Sequence, residues 1–536
     1  MEKEKYVEWK GREVQQTEDH GTRAATFVCV TEALENMVFI SNASNLVTYF
    51  HSSMHYPLGK SSNMLTNYMG TSFLLTLFGG FISDTYLTRF STMILSAAIE
   101  LMGLITLTIQ ARYKSLQPSP GRMPSTPQSI MLHAGLYLMA LGVGSVKASL
   151  PAHGADQLDH SSKRLVSTFF NWFFFSLCMG GLLAVTVLVW IQENKGWQLG
   201  FTISSGALVV ALLVFISGFP WYRHKIPSGS PFTRIFKVFL SAIRNRNAMA
   251  PSSNSSEIRG RKKSKFLDKA TVDDNISSSQ VEETKSFLRL LPIFASTIMM
   301  NCCLAQLQTF SVHQGTTMDR RLLGNFQIPP ASLTAIPLVI MLILVPLYDR
   351  LVLIMARKFL RREIEFSPLQ RIGVGLILAS MSMAVAAMVE AKRNAAAEDS
   401  STLTVLWLGW QYLLLGVSDM FTLAGMLEFF YSEAPNTMRS VCTALSWCST
   451  AMGYFLSSLL VSVANSASGR FGSSEWLGGN DLNKNRLDLF YALLSVLNFV
   501  NFLNYLCSDK EEEESLTLNE KEESEKCFKK ATPRQQ

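Results

Sequence analysis

Glu32 and Glu35 stand three residues apart inside an apolar stretch, so a helix would carry both carboxyls on one face. Two acids that close resist simultaneous ionisation, which suits a group that takes up and returns protons. Lys147, inside a separate apolar stretch, is the natural counter-charge. Fully ionised, the three sum to −1, a state that low dielectric disfavours and that uptake of one proton removes. A buried ion pair that only fixes the two stretches together is the alternative, and both roles can coexist. A charge at mid-bilayer costs at least about 2.5–3.5 kcal/mol on insertion scales, so every ionisable residue in an apolar run is a candidate. The others are Glu100, Asp419, Glu428 and His313. Glu428 reads as a structural carboxylate near a helix end. Glu100 stays open between packing and function.

No enzyme chemistry emerges from the remaining residues. His51 and His55 are four apart but have no acid nearby in sequence, and the HExxH arrangement is absent. Gly142-Val143-Gly144 lies within an apolar run and reads as helix packing rather than a nucleotide loop. No metal, cofactor or nucleic-acid partner is expected. The eight cysteines form no CxxC pair and read as small buried hydrophobes.

The elements that must hold the charges are membrane-spanning helices. In 536 residues only 17% are charged and 48% are hydrophobic. About half of the charges fall in three polar segments, 1–23, 223–286 and 508–536. That distribution excludes a soluble globular enzyme and a disordered chain. Runs long enough to span a bilayer lie near 24–50, 62–82, 90–111, 129–149, 165–191 and 200–222, then 287–313, 331–354, 370–391, 402–430, 438–463 and 486–507. The expected fold is an all-α membrane protein of twelve transmembrane helices in two six-helix halves, 24–222 and 287–507. The segment 223–286 carries 13 Lys/Arg against 6 Asp/Glu, including Arg259–Lys265, and reads as a cytoplasmic linker with a flexible middle. Both termini, 1–23 and 508–536, then lie in the cytoplasm as well, and the sequons at Asn254 and Asn275 face the wrong side for glycosylation. The start is acidic and polar, so no cleavable signal peptide is expected.

A faint internal repeat supports the two halves. Gly79-Gly80-Phe81-Ile82-Ser83-Asp84 with Arg89 follows the second run, and Pro346-Leu347-Tyr348-Asp349-Arg350 follows the second run of the other half. Duplicated halves are a transporter signature, and Asp84, Arg89, Asp349 and Arg350 could latch helix ends in one conformation and release them in another.

Gly79, Gly80, Asp84 and Arg89 resemble the loop motif of the major facilitator superfamily. Gly142–Lys147 with Gly154-Ala155-Asp156-Gln157 resembles the fourth-helix signature of the proton-coupled oligopeptide transporter family. Phe169–Phe175 resembles its fifth-helix signature, with Phe174 where Tyr is usual. Gln192–Trp197, Ile328–Ser332 and Leu427–Tyr431 with Ala434-Pro435 look like its plant branch, the nitrate/peptide transporter family. Met37–Asn45 and Ile99–Gly103 look most like that branch's fourth subfamily. The resemblance spans about His20 to about Cys507. It implies a major facilitator fold, transport by alternating access, and protons and a small molecule as partners in a lipid bilayer, with the plasma membrane as the expected location. Oligomeric state is left open.

Carried over residue by residue, the family's Glu-x-x-Glu-Arg falls on Glu32, Glu35 and position 36, which here is Asn36. The resemblance implies proton coupling at Glu32, Glu35 and Lys147. It implies substrate contacts at Lys147, Asn36, Asp419 and Leu304. Asp419 stands where the family has a longer Glu. Asn36 removes the guanidinium fork a peptide carboxylate would need. Leu304, just before Ala305-Gln306, stands where nitrate-carrying members can have a His. A bulky weak acid such as abscisic acid or a gibberellin fits these departures best, associated as both are with the fourth subfamily. Nitrate transport and a ligand-binding sensor that moves little remain the alternatives.

Overall fold

The computed structural model describes residues 6–7, 18–56, 58–119, 122–158, 163–225, 230–245, 265–273, 276–323, 326–327, 333–355, 367–399, 401–471, 476–477 and 485–507. The long helices of the first half are α1 (Glu18–Thr48), α2 (Leu58–Thr85), α3 (Arg89–Arg112), α4 (Thr126–Asp156), α5 (Lys163–Leu183) and α6 (Trp197–Ser217). Those of the second half are α7 (Ser278–Gln308), α8 (Ala335–Met355), α9 (Pro368–Glu398), α10 (Leu408–Ser432), α11 (Arg439–Phe471) and α12 (Leu487–Cys507). Ten helices among the described residues are long and apolar enough to cross a membrane. Helices α2 and α8 pack within the same bundle.

Local chemistry sets the boundaries. The Thr88 hydroxyl accepts from the Ser91 amide and starts α3, two residues after α2 has run out. Ser125 with Gln128, and Ser367 with Gln370, form capping boxes, followed by Pro127 at the second helical position and Pro368 at the first. Pro151, Pro292 and Pro346 sit inside α4, α7 and α8, where each removes one ladder hydrogen bond. Helix α7 stops at Thr309, whose φ of −113° and ψ of −94° are not helical, and the chain resumes as a short helix, Phe310–Thr316.

Within the first half α3 packs on α4, α2 on α4, and α1 on α5; within the second, α9 packs on α10 and α7 on α11. The halves meet along α2 with α11 and along α5 with α8 and α10. Phe73 of α2 stacks on Trp447 of α11 with ring centroids 5.9 Å apart.

The connection between the halves holds more order than its composition predicts. Pro231–Arg244 is an amphipathic helix whose Val238 and Ala242 are buried with Leu267, Ala270, Ile276 and Val281 in a second, small core. Its other face exposes Phe232, Phe236, Leu240 and Ile243. The basic run Arg259–Ser264, both sequons' Asn254 and Asn275, and the acidic tail lie outside the described residues. Two short antiparallel ribbons, Tyr6–Val7 with His224–Lys225 and Arg321–Leu323 with Phe326–Gln327, sit outside the helical bundle.

Candidate functional site

Lys147 is the centre of the site. Its Nζ donates to Glu35 Oε2 at 2.9 Å, to Asn36 Oδ1 at 3.2 Å and to Glu32 Oε1 at 3.3 Å. All four side chains are buried. Position 36 shares the helical face of Glu32, four residues on, so α1 presents three oxygens to one ammonium. Asn36 also donates from Nδ2 to the Leu177 carbonyl of α5 at 2.8 Å, which fixes its carbonyl toward Lys147. The rings of Phe39 and Trp447 lie over the ammonium, each 5.1 Å from it. Trp447 belongs to the second half, so the cluster reaches across the two halves.

The ammonium is thus saturated. An ammonium has three protons to donate, and three protein oxygens accept them. A substrate carboxylate meets Lys147 only if one of those oxygens leaves. Glu32 Oε2 and Glu35 Oε1 make no hydrogen bond among the described residues, so each acid keeps an unused face.

Asp84 and Arg89 anchor a lock between the halves at the end bearing the α2–α3 turn. Arg89 Nη2 lies 3.3 Å from Asp84 Oδ1, and Arg89 Nη1 pairs with Asp156 of α4. Arg89 Nε donates to the Ser440 hydroxyl of α11 at 2.8 Å. Asp84 Oδ2 accepts from the Val441 amide at 3.0 Å, placing a carboxylate on the N-terminus of α11. Gly80 permits the approach: a Cβ there would meet the Ser440 carbonyl oxygen at 2.8 Å. Asp156 accepts from the Tyr431 hydroxyl at 2.5 Å and lies 3.8 Å from Arg439 Nη1.

A second bridge stands beside the first. Arg371 of α9 donates to Glu428 Oε2 at 2.7 Å, to Asn171 Oδ1 of α5 at 2.6 Å and to the Ser167 hydroxyl at 3.3 Å. Glu428 is therefore the counter-ion of a buried arginine that reaches into the other half. The side chains of Asp349, Arg350 and His313, the other charges singled out in the sequence, lie outside the described residues.

Asp156, Asn171, Arg371, Tyr431, Arg439 and Ser440 were not expected as site residues. Asp156, Asn171, Glu428 and Tyr431 sit in the motif runs that carry the resemblance, which was the available signal. Arg371 had none, because a cation at the edge of an apolar run is ordinary.

Asp419 joins neither cluster by a contact among the described residues. It is half-buried, within electrostatic reach of Cys178 on α5 and Tyr454 on α11, and makes no hydrogen bond or ion pair among the described residues. Gly181 of α5, whose Cβ would meet Leu338 of α8 at 3.3 Å and Asn36 Nδ2 at 3.9 Å, leaves room between these elements. Leu304 is partly buried against the apolar core. At the opposite end of the bundle Glu390 pairs with Arg393 at 2.8 Å and accepts from Gln314 at 2.7 Å, tying the short helix after α7 to α9.

Two helical halves that grip each other at one end around a buried charge cluster define a membrane transporter of the major facilitator type. The POT family profile matches residues 90–477. Protein NRT1/ PTR FAMILY 4.2 of Arabidopsis thaliana is 53% identical over 513 residues, covering 94% of this chain and 98% of that protein. Protein NRT1/ PTR FAMILY 4.1 of the same plant is 51% identical over 515 residues, with 94% and 98% covered. Among solved structures, the POT family transporter PepTSo superposes with a TM-score of 0.67 at 19% identity, covering 91% of this chain and 98% of that one. The chain belongs to the POT family, in its plant NRT1/PTR branch and the fourth subfamily of that branch. Members of this family are transporters and not enzymes.

Proposed function

We propose that this chain moves a bulky weak-acid plant hormone, of the abscisic acid or gibberellin type, across the plasma membrane by proton-linked alternating access. The observation that carries the reading is the saturated Lys147, held by Glu32, Glu35 and Asn36 with no second cation beside it among the described residues. A permanent anion such as nitrate finds no free positive charge there. A weak acid can approach protonated, its apolar body on the aromatic and aliphatic walls, and meet Lys147 once a carboxylate has taken its proton. Asp419, without a hydrogen bond among the described residues, offers an acceptor for a substrate hydroxyl.

Protonation of Glu32 or Glu35 weakens its hold on Lys147 and frees an ammonium proton for the substrate carboxylate. The lock of Asp84, Arg89 and Asp156 against α10 and α11 opens and closes the cytoplasmic end, with both termini on that side. Asp349 and Arg350 play the matching part in the second half. Uptake of labelled abscisic acid, gibberellin and nitrate into oocytes at two pH values tests the reading. Hormone accumulation that rises in acid medium supports it. Nitrate accumulation alone turns the assignment to nitrate, and hormone binding without accumulation turns it to a sensor.

A further inference from the structure

Glu100 belongs to none of the contacts above. It lies on α3, fully buried, and neither carboxyl oxygen makes a hydrogen bond among the described residues. Leaving such a group both desolvated and unpaired as a carboxylate is among the costliest arrangements a protein core can hold. Its placement is set by close packing: a Cβ on Gly142 of α4 would fall 2.5 Å from the Glu100 Cβ, so only glycine lets α3 approach α4 here. The titratable and charged groups facing it are Glu32 and Glu35 from α1, Tyr68 from α2 and Lys147 from α4. Among the described residues the buried Tyr68 hydroxyl also makes no hydrogen bond, nor does one oxygen each of Glu32 and Glu35.

Three acids therefore share one lysine. Full ionisation would leave a net charge of −2 in a region closed to water, and the cation that the family usually supplies at position 36 is an asparagine in this chain. Neutrality needs two protons on the three carboxyls. Glu32 and Glu35 each give one oxygen to Lys147, whereas Glu100 gives none and its oxygens make no hydrogen bond among the described residues.

We propose that Glu100 is a second proton-holding residue of the central cluster. It binds a proton while Lys147 is held by α1. A second proton reaches the unused oxygen of Glu32 or Glu35 when Lys147 is released, so that Glu100 stays neutral through that step. The cluster then takes up and returns two protons per cycle, and the neutral carboxyl at Glu100 takes the place of a charge that Asn36 no longer balances. This deepens the proton-linked reading of the same site.

Infrared difference spectra of the full-length protein in liposomes, recorded between acid and alkaline media in water and deuterium oxide, test it without any substrate. The expected result is a protonated-carboxyl stretch that titrates, shifts in deuterium oxide and is missing from Glu100→Gln. A band set unchanged by that substitution overturns the proposal, as does a Glu100 band that neither titrates nor exchanges. If Glu100→Gln does not fold, Glu100→Asp serves, with the same band expected at a shifted frequency. Proton flux counted against labelled abscisic acid, gibberellin and nitrate should fall by one proton per substrate in Glu100→Gln, and an unchanged ratio overturns the two-proton cycle. Should none of these compounds accumulate, the substrate assignment fails while the spectra still decide Glu100.

Discussion

The Tyr431 hydroxyl donates a 2.5 Å hydrogen bond to Asp156 Oδ1, joining α10 to α4 across the two halves of the chain. The same carboxylate holds Arg89 through its other oxygen, and the Arg439 guanidinium lies 4.8 Å above the Tyr431 ring. One buried acid thus gathers residues from four helices at a single end of the bundle.

Removing that hydroxyl should loosen the lock without unfolding the halves. A hydrogen bond to a charged group contributes about 2 kcal/mol, enough to shift a closed-to-open equilibrium roughly thirtyfold. Spin labels on the facing ends of α4 and α10 should show a larger long-distance population in Tyr431→Phe than in the parent. An identical distance distribution would mean that this contact does not govern closure.

Arg371 gives a different prediction, because its loss takes a hydrogen-bonded cation away from Glu428 and Asn171. Breaking one side of a buried ion pair typically costs about 3–5 kcal/mol. Arg371→Ala should therefore lower the thermal stability of the purified protein markedly. Arg371→Met combined with Glu428→Gln should recover part of the loss, since neither buried charge of the pair then remains. Additive losses in the double variant would sink the pairing.

Gly80 tests the helix approach itself. An alanine there would place a methyl group 2.8 Å from the Ser440 carbonyl oxygen and 3.0 Å from Val441 Cα, both backbone atoms that cannot swing aside. Gly80→Ala should hold α2 away from α11 and favour the conformation open at that end. Cysteines introduced near Asp84 should then react faster with a water-soluble thiol reagent. Unaltered reactivity would show that the two backbones have slack.

At the central cluster, Lys147→Ala removes the cation that holds Glu32 and Glu35 and should abolish uptake while surface expression persists. Full uptake would remove Lys147 from the site. Asn36→Arg restores a cation and should steepen the dependence of uptake on pH. The new side chain must give up the bond to the Leu177 carbonyl and use the room beside Gly181. A pH profile identical to the parent's would show that position 36 does not set the coupling.

Much of this was legible in the linear chain. Runs of apolar residues announced the long helices, and the three-residue spacing of Glu32 and Glu35 announced their common face, because helical geometry follows from local sequence alone. The meeting of those acids with Lys147 was inferred from charge, and the structure brings all three together. Asn36 was read as a missing charge. Its second role, as a bridge from Lys147 to α5, needed the position of a carbonyl 141 residues away.

The lock was half legible. Asp84 and Arg89 stood out by their repeat, yet their partners lie on helices more than 60 and 350 residues distant. Arg371 looked like an ordinary flanking charge, and only the packing of α9 beside α5 made it a bridge. The amphipathic helix Pro231–Arg244 was hidden in a segment judged by its net composition rather than by its period.

The sequence by itself determined that this protein lives in a membrane, in two helical halves, with a few costly charges inside, because hydrophobicity and helical period are properties of neighbouring residues. Which of those charges meet, and which is left with no partner, was decided only by the tertiary structure. Glu100 and Glu35 are both acids in apolar runs, and nothing local separates them. What separates them is the close approach of α3 to α4 at Gly142, which buries one carboxyl without a hydrogen bond to the lysine that holds the other.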